Sequence, residues 1–267
     1  SLEFMVTGAP QWHHQRSRAT SIDTQILYGE GDGEPNRKYN EDWGYRNGEE
    51  YSFRRNFYHK PVISLNWNWK LSEKTTLETS TYASFGRGGG TGEIGEINGN
   101  RQFRLPRTAD GLIRVDDIVA YNSGQLVSDF SATTREQING QYVNNSDQNA
   151  NENNTNGISR RASVNSHNWY GILANFNNRI SSDLTIDFGV DLRKYKGYHY
   201  RRVNDRLGGD VYQETDNRNN PNQLFSETYN ANQPWWVFGN IDDEEKIDYY
   251  NTGLVNWLGL FGQVEYN

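Results

Sequence analysis

Leu184-Thr185-Ile186-Asp187-Phe188-Gly189-Val190-Asp191-Leu192-Arg193 is the stretch that decides the fold. Leu184, Ile186, Phe188, Val190 and Leu192 share one face, and Thr185, Asp187, Gly189, Asp191 and Arg193 share the other. Side chains alternate across a strand with a period of two, so this is a strand with one apolar and one polar face. Just upstream, Tyr170, Ile172, Ala174 and Phe176 repeat the pattern, and the polar residues 180–183 lie between. The two segments make a hairpin with arms of about ten residues or more.

A second hairpin precedes it. Ile63, Leu65, Trp67 and Trp69 alternate with Ser64, Asn66, Asn68 and Lys70. After a turn near 71–74, Leu77, Thr79, Thr81, Ala83 and Phe85 alternate with Glu78, Ser80, Tyr82 and Ser84. Weaker alternation runs through Leu2, Phe4 and Val6, through Ile22, Thr24, Ile26 and Tyr28, and through Leu258, Leu260, Val264 and Tyr266. About seven strands result.

Composition narrows the class. No run of ~20 apolar residues exists, which excludes a helical membrane span. There is no cysteine, which excludes a disulfide scaffold. The formal net charge of −7 and the absence of a dominant basic patch argue against a nucleic-acid partner. Hydrophobic residues make up only 34% of the chain and mean hydropathy is −0.96, yet aromatics reach 13%. Disordered chains are poor in aromatics, so the chain folds, with apolar material for a surface more than for a thick core.

The turns near 71–74 and 180–183 are tight, whereas 29–58, 87–165 and 198–248 are long, polar and rich in Gly and Asn. Short turns at one end and long loops at the other are the layout of an outer-membrane β-barrel, with short periplasmic turns and long extracellular loops. The expected fold is therefore all-β: an antiparallel up-and-down transmembrane barrel, partial, with about seven strands of a larger one. Both ends of the chain read as mid-strand, so residues 1–267 are expected to be a piece of the barrel domain that folds poorly alone, its edge strands being unpaired. The low-complexity stretch 139–156 reads as a mobile loop tip.

Several local patterns resemble the barrel of TonB-dependent outer-membrane receptors of Bacteroidetes type. They are Gly8-Ala9-Pro10-Gln11-Trp12-His13-His14-Gln15-Arg16, Tyr39-Asn40-Glu41-Asp42-Trp43-Gly44, Lys60-Pro61 opening a strand, Gly86-Arg87-Gly88-Gly89-Gly90-Thr91-Gly92 closing a hairpin, and Gly259-Leu260-Phe261-Gly262-Gln263-Val264-Glu265-Tyr266. The resemblance implies a 22-stranded barrel around an N-terminal plug. It also implies import of a scarce ligand (an iron chelate, cobalamin or an oligosaccharide), driven by an inner-membrane motor through TonB. The plug and the C-terminal strands have no counterpart in this sequence. The implied partners are outer-membrane lipid, TonB reached through the plug, and a small ligand; no cofactor and no enzymatic activity are implied. The rivals are a secreted β-sandwich that binds carbohydrate and an all-β glycoside hydrolase.

Trp67 and Trp69, close to a tight turn, are candidates for an aromatic membrane girdle, since an indole has an apolar body and a polar tip. Core packing in a sandwich is their alternative. Trp43, Tyr45, Arg54, Arg55, Trp235 and Trp236 are the candidate ligand contacts, because large rings and guanidinium groups on polar loops can stack on and pair with a ligand. Tyr195, Tyr198 and Tyr200, interleaved with Arg193, Lys194, Lys196, Arg201 and Arg202, read as a solvated strand extension. Asp242-Asp243-Glu244-Glu245 reads as a solvated charge run. Gly86 to Gly92 read as the flexible upper end of a strand without the Lys-Ser/Thr of a phosphate loop. His13 and His14 point to opposite sides of an extended chain, so they make a poor chelating pair. No metal ligand and no catalytic residue is assigned.

Overall fold

The structure is a computed structural model. It describes residues 1–16, 19–146, 154–218, 220, 222–231, 237 and 239–267, with Asp243 described by its backbone alone.

Eight strand segments form one antiparallel sheet. They are β1 (Leu2–Thr7), β2 (Gln11–His14), β5 (Arg55–His59), β6 (Val62–Ser72), β7 (Thr75–Gly95), β9 (Ile158–Arg179), β10 (Leu184–Asp205) and β13 (Ile247–Tyr266). β1 pairs with β6 and β2 with β5, while β5 and β6 both pair with β7. The sheet thus has six columns, β1/β2, β5/β6, β7, β9, β10 and β13, each antiparallel to its neighbour. Pro61 separates β5 from β6: proline has no N–H for the ladder, although its carbonyl still accepts from Phe85 at 3.1 Å. The sheet is open, with β1/β2 and β13 as its edges. Six columns replace the seven strands expected, and no closed barrel is formed.

The missing strand is helical. Ile22–Leu27 form α1, because the Ser21 hydroxyl accepts from the Thr24 N–H at 3.1 Å and caps the first turn. Alternation over seven residues did not exclude a capped turn.

The register fixes what each face carries. Phe4, Leu65, Thr81, Ile172, Leu192 and Leu258 form one row across all six columns. Leu2, Trp67, Thr79, Ala174, Val190 and Leu260 form the next, and Trp69, Leu77, Phe176, Phe188 and Gly262 the one beyond. This apolar face is uncovered: Phe188 is 57% exposed, Leu260 66% and Ile172 43%. It runs from the Leu184–Tyr266 row to the Tyr170–Lys194 row and carries no Asp or Glu between them. The opposite face is polar and bonded across strands, as in Asn177 to Asp187 at 2.9 Å and Asn68 to Glu78 at 2.9 Å.

The tight connections β6–β7 and β9–β10 lie at one end of the sheet. Residues 15–54, 96–157 and 206–246 connect strands at the other end, where the buried core is found. β7, β9 and β10 run far into those stretches, so the loops are shorter than the polarity of 87–165 and 198–248 suggests. They fold over the strand ends. A hairpin of β3 (Trp43–Arg46) and β4 (Glu49–Ser52) turns on Asn47-Gly48, both at positive φ. Helix α2 (Val115–Asn122) buries Val115, Ile118 and Tyr121 against Phe53, Ile97 and Ile158. β8 (Val143–Asn145) and β12 (Gln223–Phe225) flank β11 (Val211–Glu214) in a small sheet. Tyr212 and Phe225 from it pack on Ile94, Val203 and Ile247.

Within 139–156, Asn144, Asn145 and Asn156 are buried. Asn144 Nδ2 donates to Ser159 Oγ at 2.7 Å and the Asn145 N–H to Asn156 Oδ1 at 3.0 Å. Amide hydrogen bonds order these residues where apolar burial could not, and a mobile tip is not what the described part shows. Residues 147–153 lie outside the described residues.

Nor is Gly86 to Gly92 a loose strand end. It lies inside β7, and a Cβ at Gly89 would stand 2.2 Å from the Ser163 carbonyl oxygen and 2.9 Å from the buried Phe57 ring. Gly89→Ala is therefore expected to cost about 1–3 kcal/mol of stability through overpacking. Gly253→Ala, with nothing within 4 Å of its added methyl group, is expected to be neutral or slightly stabilising. Denaturant unfolding followed by tryptophan fluorescence separates the two.

Candidate functional site

At the loop end, on the polar side of the sheet, is a cavity of about 510 Å³. The end of β7 supplies Glu93, Ile94 and Gly95, with Glu96 just beyond it, β9 supplies Arg161, β10 supplies Arg201, and β13 supplies Asp248. Arg54, Arg101, Ser146 and Asp216 come from the connections. A larger hollow of about 600 Å³ lies over the apolar face, lined by residues such as Leu65, Phe85 and Ile172. It offers little to orient a polar ligand, so the charged cavity is the candidate site.

Its charges are ordered. Arg54 Nη2 lies 2.9 Å from Glu93 and its Nε 3.8 Å from Asp42. Arg101 pairs with Glu96 at 3.4 Å and Arg201 pairs with Asp248. Carboxylate oxygens of Glu214, Asp216 and Asp248 all lie within 4.8 Å of one another, with Glu214 fully buried. Glu214 accepts from the backbone N–H groups of Asp216, at 2.8 Å, and Asp248. Burial, then the Asp248 charge, push the neighbouring Tyr212 phenol well above its usual range, so it stays protonated. The site can hold a small polar ligand among interleaved guanidinium and carboxylate groups. Arg54 was among the sequence candidates; Arg101, Arg161, Glu93, Glu96, Asp216 and Asp248 were not. Their only sequence signal is scattered charge, because four separate segments bring them together.

The remaining candidates lie elsewhere. Arg55, the first residue of β5, points away from Arg54 just before it. It is buried, 4.2 Å over the Trp12 ring, with Nη2 3.0 Å from His14 Nε2. Burial, and next the Arg160 charge, lower its pKa to about 10. It packs on Trp12 and lies outside the cavity lining. His14 is spent on that contact.

Trp43 and Tyr45 form a tilted ring pair at 5.7 Å on the β3–β4 hairpin, outside the cavity lining. The hairpin is clamped to β10 by Asp205, which accepts from Arg46 at 2.6 Å and Tyr51 at 3.2 Å. Trp235 and Trp236 lie outside the described residues. Trp67 and Trp69 stack at 4.9 Å on the apolar face near the tight-turn end, and neither is in a core.

The two solvated readings hold only in part: Asp242, Arg193 and Lys194 are exposed, whereas other members of both segments are packed. Tyr198 and Tyr200 are buried with Phe57, Val164, Ala231 and Ile241, because the connection before β13 folds over them. Glu244 accepts from the Tyr200 hydroxyl at 2.7 Å, and Asp242 accepts from Tyr250 at 2.6 Å, so that charge run docks the connection.

No family model, curated protein or solved structure matches the chain. No helix among the described residues is long and apolar enough to cross a membrane, which says nothing about crossing by strands.

His167 of β9 lies beyond the apolar rows, packed over Gly86 with Nε2 3.4 Å from Ser84 Oγ. Burial, then the charges of Lys60 and Arg87, lower its pKa from 6.5 to about 4. Between these values the unfolded chain binds a proton that the folded chain refuses. The His167 contribution to stability is thus full above about pH 6.5 and is lost as the pH falls toward 4. His167→Gln is expected to flatten unfolding free energy against pH in that window, measured against the parent protein.

Proposed function

We propose that this chain is a wall segment of an outer-membrane β-barrel receptor that captures a scarce small ligand at its loop end and imports it, without enzymatic chemistry, using energy delivered through TonB. The observation that carries the reading is the uncovered apolar face, continuous across six columns, on a sheet with tight turns at one end and structured connections at the other. Ten residue steps separate the Leu184 row from the Lys194 row, about 33 Å along the strand. With the usual barrel tilt of ~40° that length gives a band roughly 25 Å tall, the height such barrels present to lipid. Tyr170 with Lys194 and Lys196 at the upper margin fit interfacial positions, and the stacked Trp67 and Trp69 lie on β6 toward its tight turn.

Transport and TonB enter through the resemblance of the local patterns to TonB-dependent receptors. The iron chelate, cobalamin or oligosaccharide of that family is the ligand class proposed for the charged cavity. A β-sandwich would lay a second sheet on the apolar face. Among the described residues no sheet lies there, which counts against the secreted carbohydrate-binding and glycoside hydrolase readings.

The test is the full-length protein in its membrane. Leu260→Arg, in a middle row of the apolar face, is expected to cost about 2–4 kcal/mol of insertion. Gln263→Arg, on the opposite face, is expected to be tolerated. Brominated lipid is expected to quench Trp67 and Trp69. Equal tolerance of both arginines, or quenching by aqueous iodide alone, would overturn the reading.

A further inference from the structure

Of the cavity's arginines, Arg161 is the one that makes no ion pair among the described residues. It stands on the polar face of β9, opposite Gly92 of β7. A Cβ at Gly92 would lie 2.6 Å from Arg54 Nη1 and 2.9 Å from Arg161 Nη2. Two guanidinium groups therefore close over the space that this glycine leaves. On the other side, Arg161 Nη1 donates to Ser163 Oγ at 3.0 Å, and Arg201 Nε donates to the same oxygen at 3.3 Å. Three cations thus follow one another along the wall with Arg161 in the middle.

The outer two have their carboxylates, Glu93 for Arg54 and Asp248 for Arg201. Arg161 makes no ion pair among the described residues. Its other acceptor is the Gly90 carbonyl at 3.4 Å, and its Nε and Nη2 have no partner there. Packing like charges together in a partly desolvated place is unfavourable unless an anion joins them.

We infer that Arg161, flanked by Arg54 over Gly92 and by Arg201 through Ser163, anchors a single oxyanion group of a small ligand held in the cavity. The planar guanidinium offers a fork that matches two oxygens of a carboxylate, phosphate or sulfate. The carboxylates of Asp216 and Asp248 line the same cavity and repel a second anionic group, so the rest of the ligand is neutral or cationic. The volume of about 510 Å³ suits such a molecule. Burial, reinforced by the charges of Arg201 and Arg54 and only partly opposed by Glu93, lowers the Arg161 pKa to about 10, in accord with a cation that lacks a direct ion pair. The site does not depend on the chain lying in a membrane, so its test is separate from that of the transport reading.

The test uses the full-length protein and the bare ions. Inorganic phosphate and acetate are titrated by calorimetry at constant ionic strength, with chloride as the competing salt. Saturable binding in the millimolar range is expected, with a rise in the thermal midpoint that chloride does not produce. Arg161→Gln is expected to weaken binding at least tenfold, and Arg161→Lys to weaken it less, since it keeps the charge and loses the fork. If Arg161→Gln does not fold, Arg161→Lys and Ser163→Ala carry the same comparison. Tighter phosphate than acetate supports a tetrahedral head, and the reverse supports a planar one. Absence of saturable binding beyond chloride, or binding unchanged in every Arg161 variant, overturns the inference.

Discussion

The in-register pairing of β9 between β7 and β10 is the constraint on which the rest of the structure depends. β9 pairs along its length with β7 on one side and β10 on the other, from the tight turns up to the loop end. A slip of one residue would turn every side chain of a strand to the other face. With the register held, Phe176, Phe188 and Leu77 share a row on one face while Asn177 and Asp187 share the next row on the other. The same pairing carries Glu93, Arg161 and Arg201 to one end, so the charged cavity is a product of strand register before it is a product of loops.

The three central strands serve two environments. Below the Tyr170–Lys194 row their apolar face is bare. Above it the same face is covered: Phe57, Ala162, Val164, Tyr198 and Tyr200 pack with Ala231 and Ile241. Long connections cost ordering entropy, and here the cost is offset partly by burial and partly by amide bonding. Asn122 shows the second route. Its Nδ2 donates to the Ile158 and Leu207 carbonyls at 2.7 and 2.9 Å, and its Oδ1 accepts from the Ile158 N–H. One buried side chain ties α2 to the start of β9 and the end of β10. A chain poor in aliphatic residues can order loops in this way, because buried polar groups that are fully bonded specify a single arrangement.

How much of this was legible in the sequence depends on the range of the interaction. Alternation at Leu184 to Leu192 and at Ile63 to Trp69 is local, and it located the long strands, their faces and the tight turns. The helix at Ile22–Leu27 was not legible, since Ser21 capping and two periods of alternation leave the same short pattern. Tyr198 and Tyr200 were placed in solvent because nothing local announces that residues thirty to forty positions later fold back on them. The pair Arg54 and Arg55 is instructive. Adjacent residues of an extended chain diverge, and at the start of β5 they do, Arg54 to the cavity and Arg55 onto Trp12. Arg161 could not be singled out from its own neighbourhood, because its lack of an ion pair among the described residues is a property of Gly92, Arg54 and Arg201 together.

The two edges of the sheet bear on what surrounds it. A strand that ends a sheet in water usually protects its unpaired N–H and C=O groups with lysine, proline or a bulge. The lower part of β13, from Leu254 to Tyr266, contains no lysine and no proline, carries Glu265 as its one charge, and keeps unbroken register with β10. β1 likewise carries only Glu3. The apolar rows do not taper toward either edge: Leu258, Leu260 and Val264 on β13, and Leu2, Phe4 and Val6 on β1, are as apolar as the central columns. Such edges are chemically those of interior strands, suited to further pairing and to the same apolar surroundings on one face. That argument rests on side-chain chemistry along the edge strands, and it supports the proposed barrel wall independently of the uncovered face.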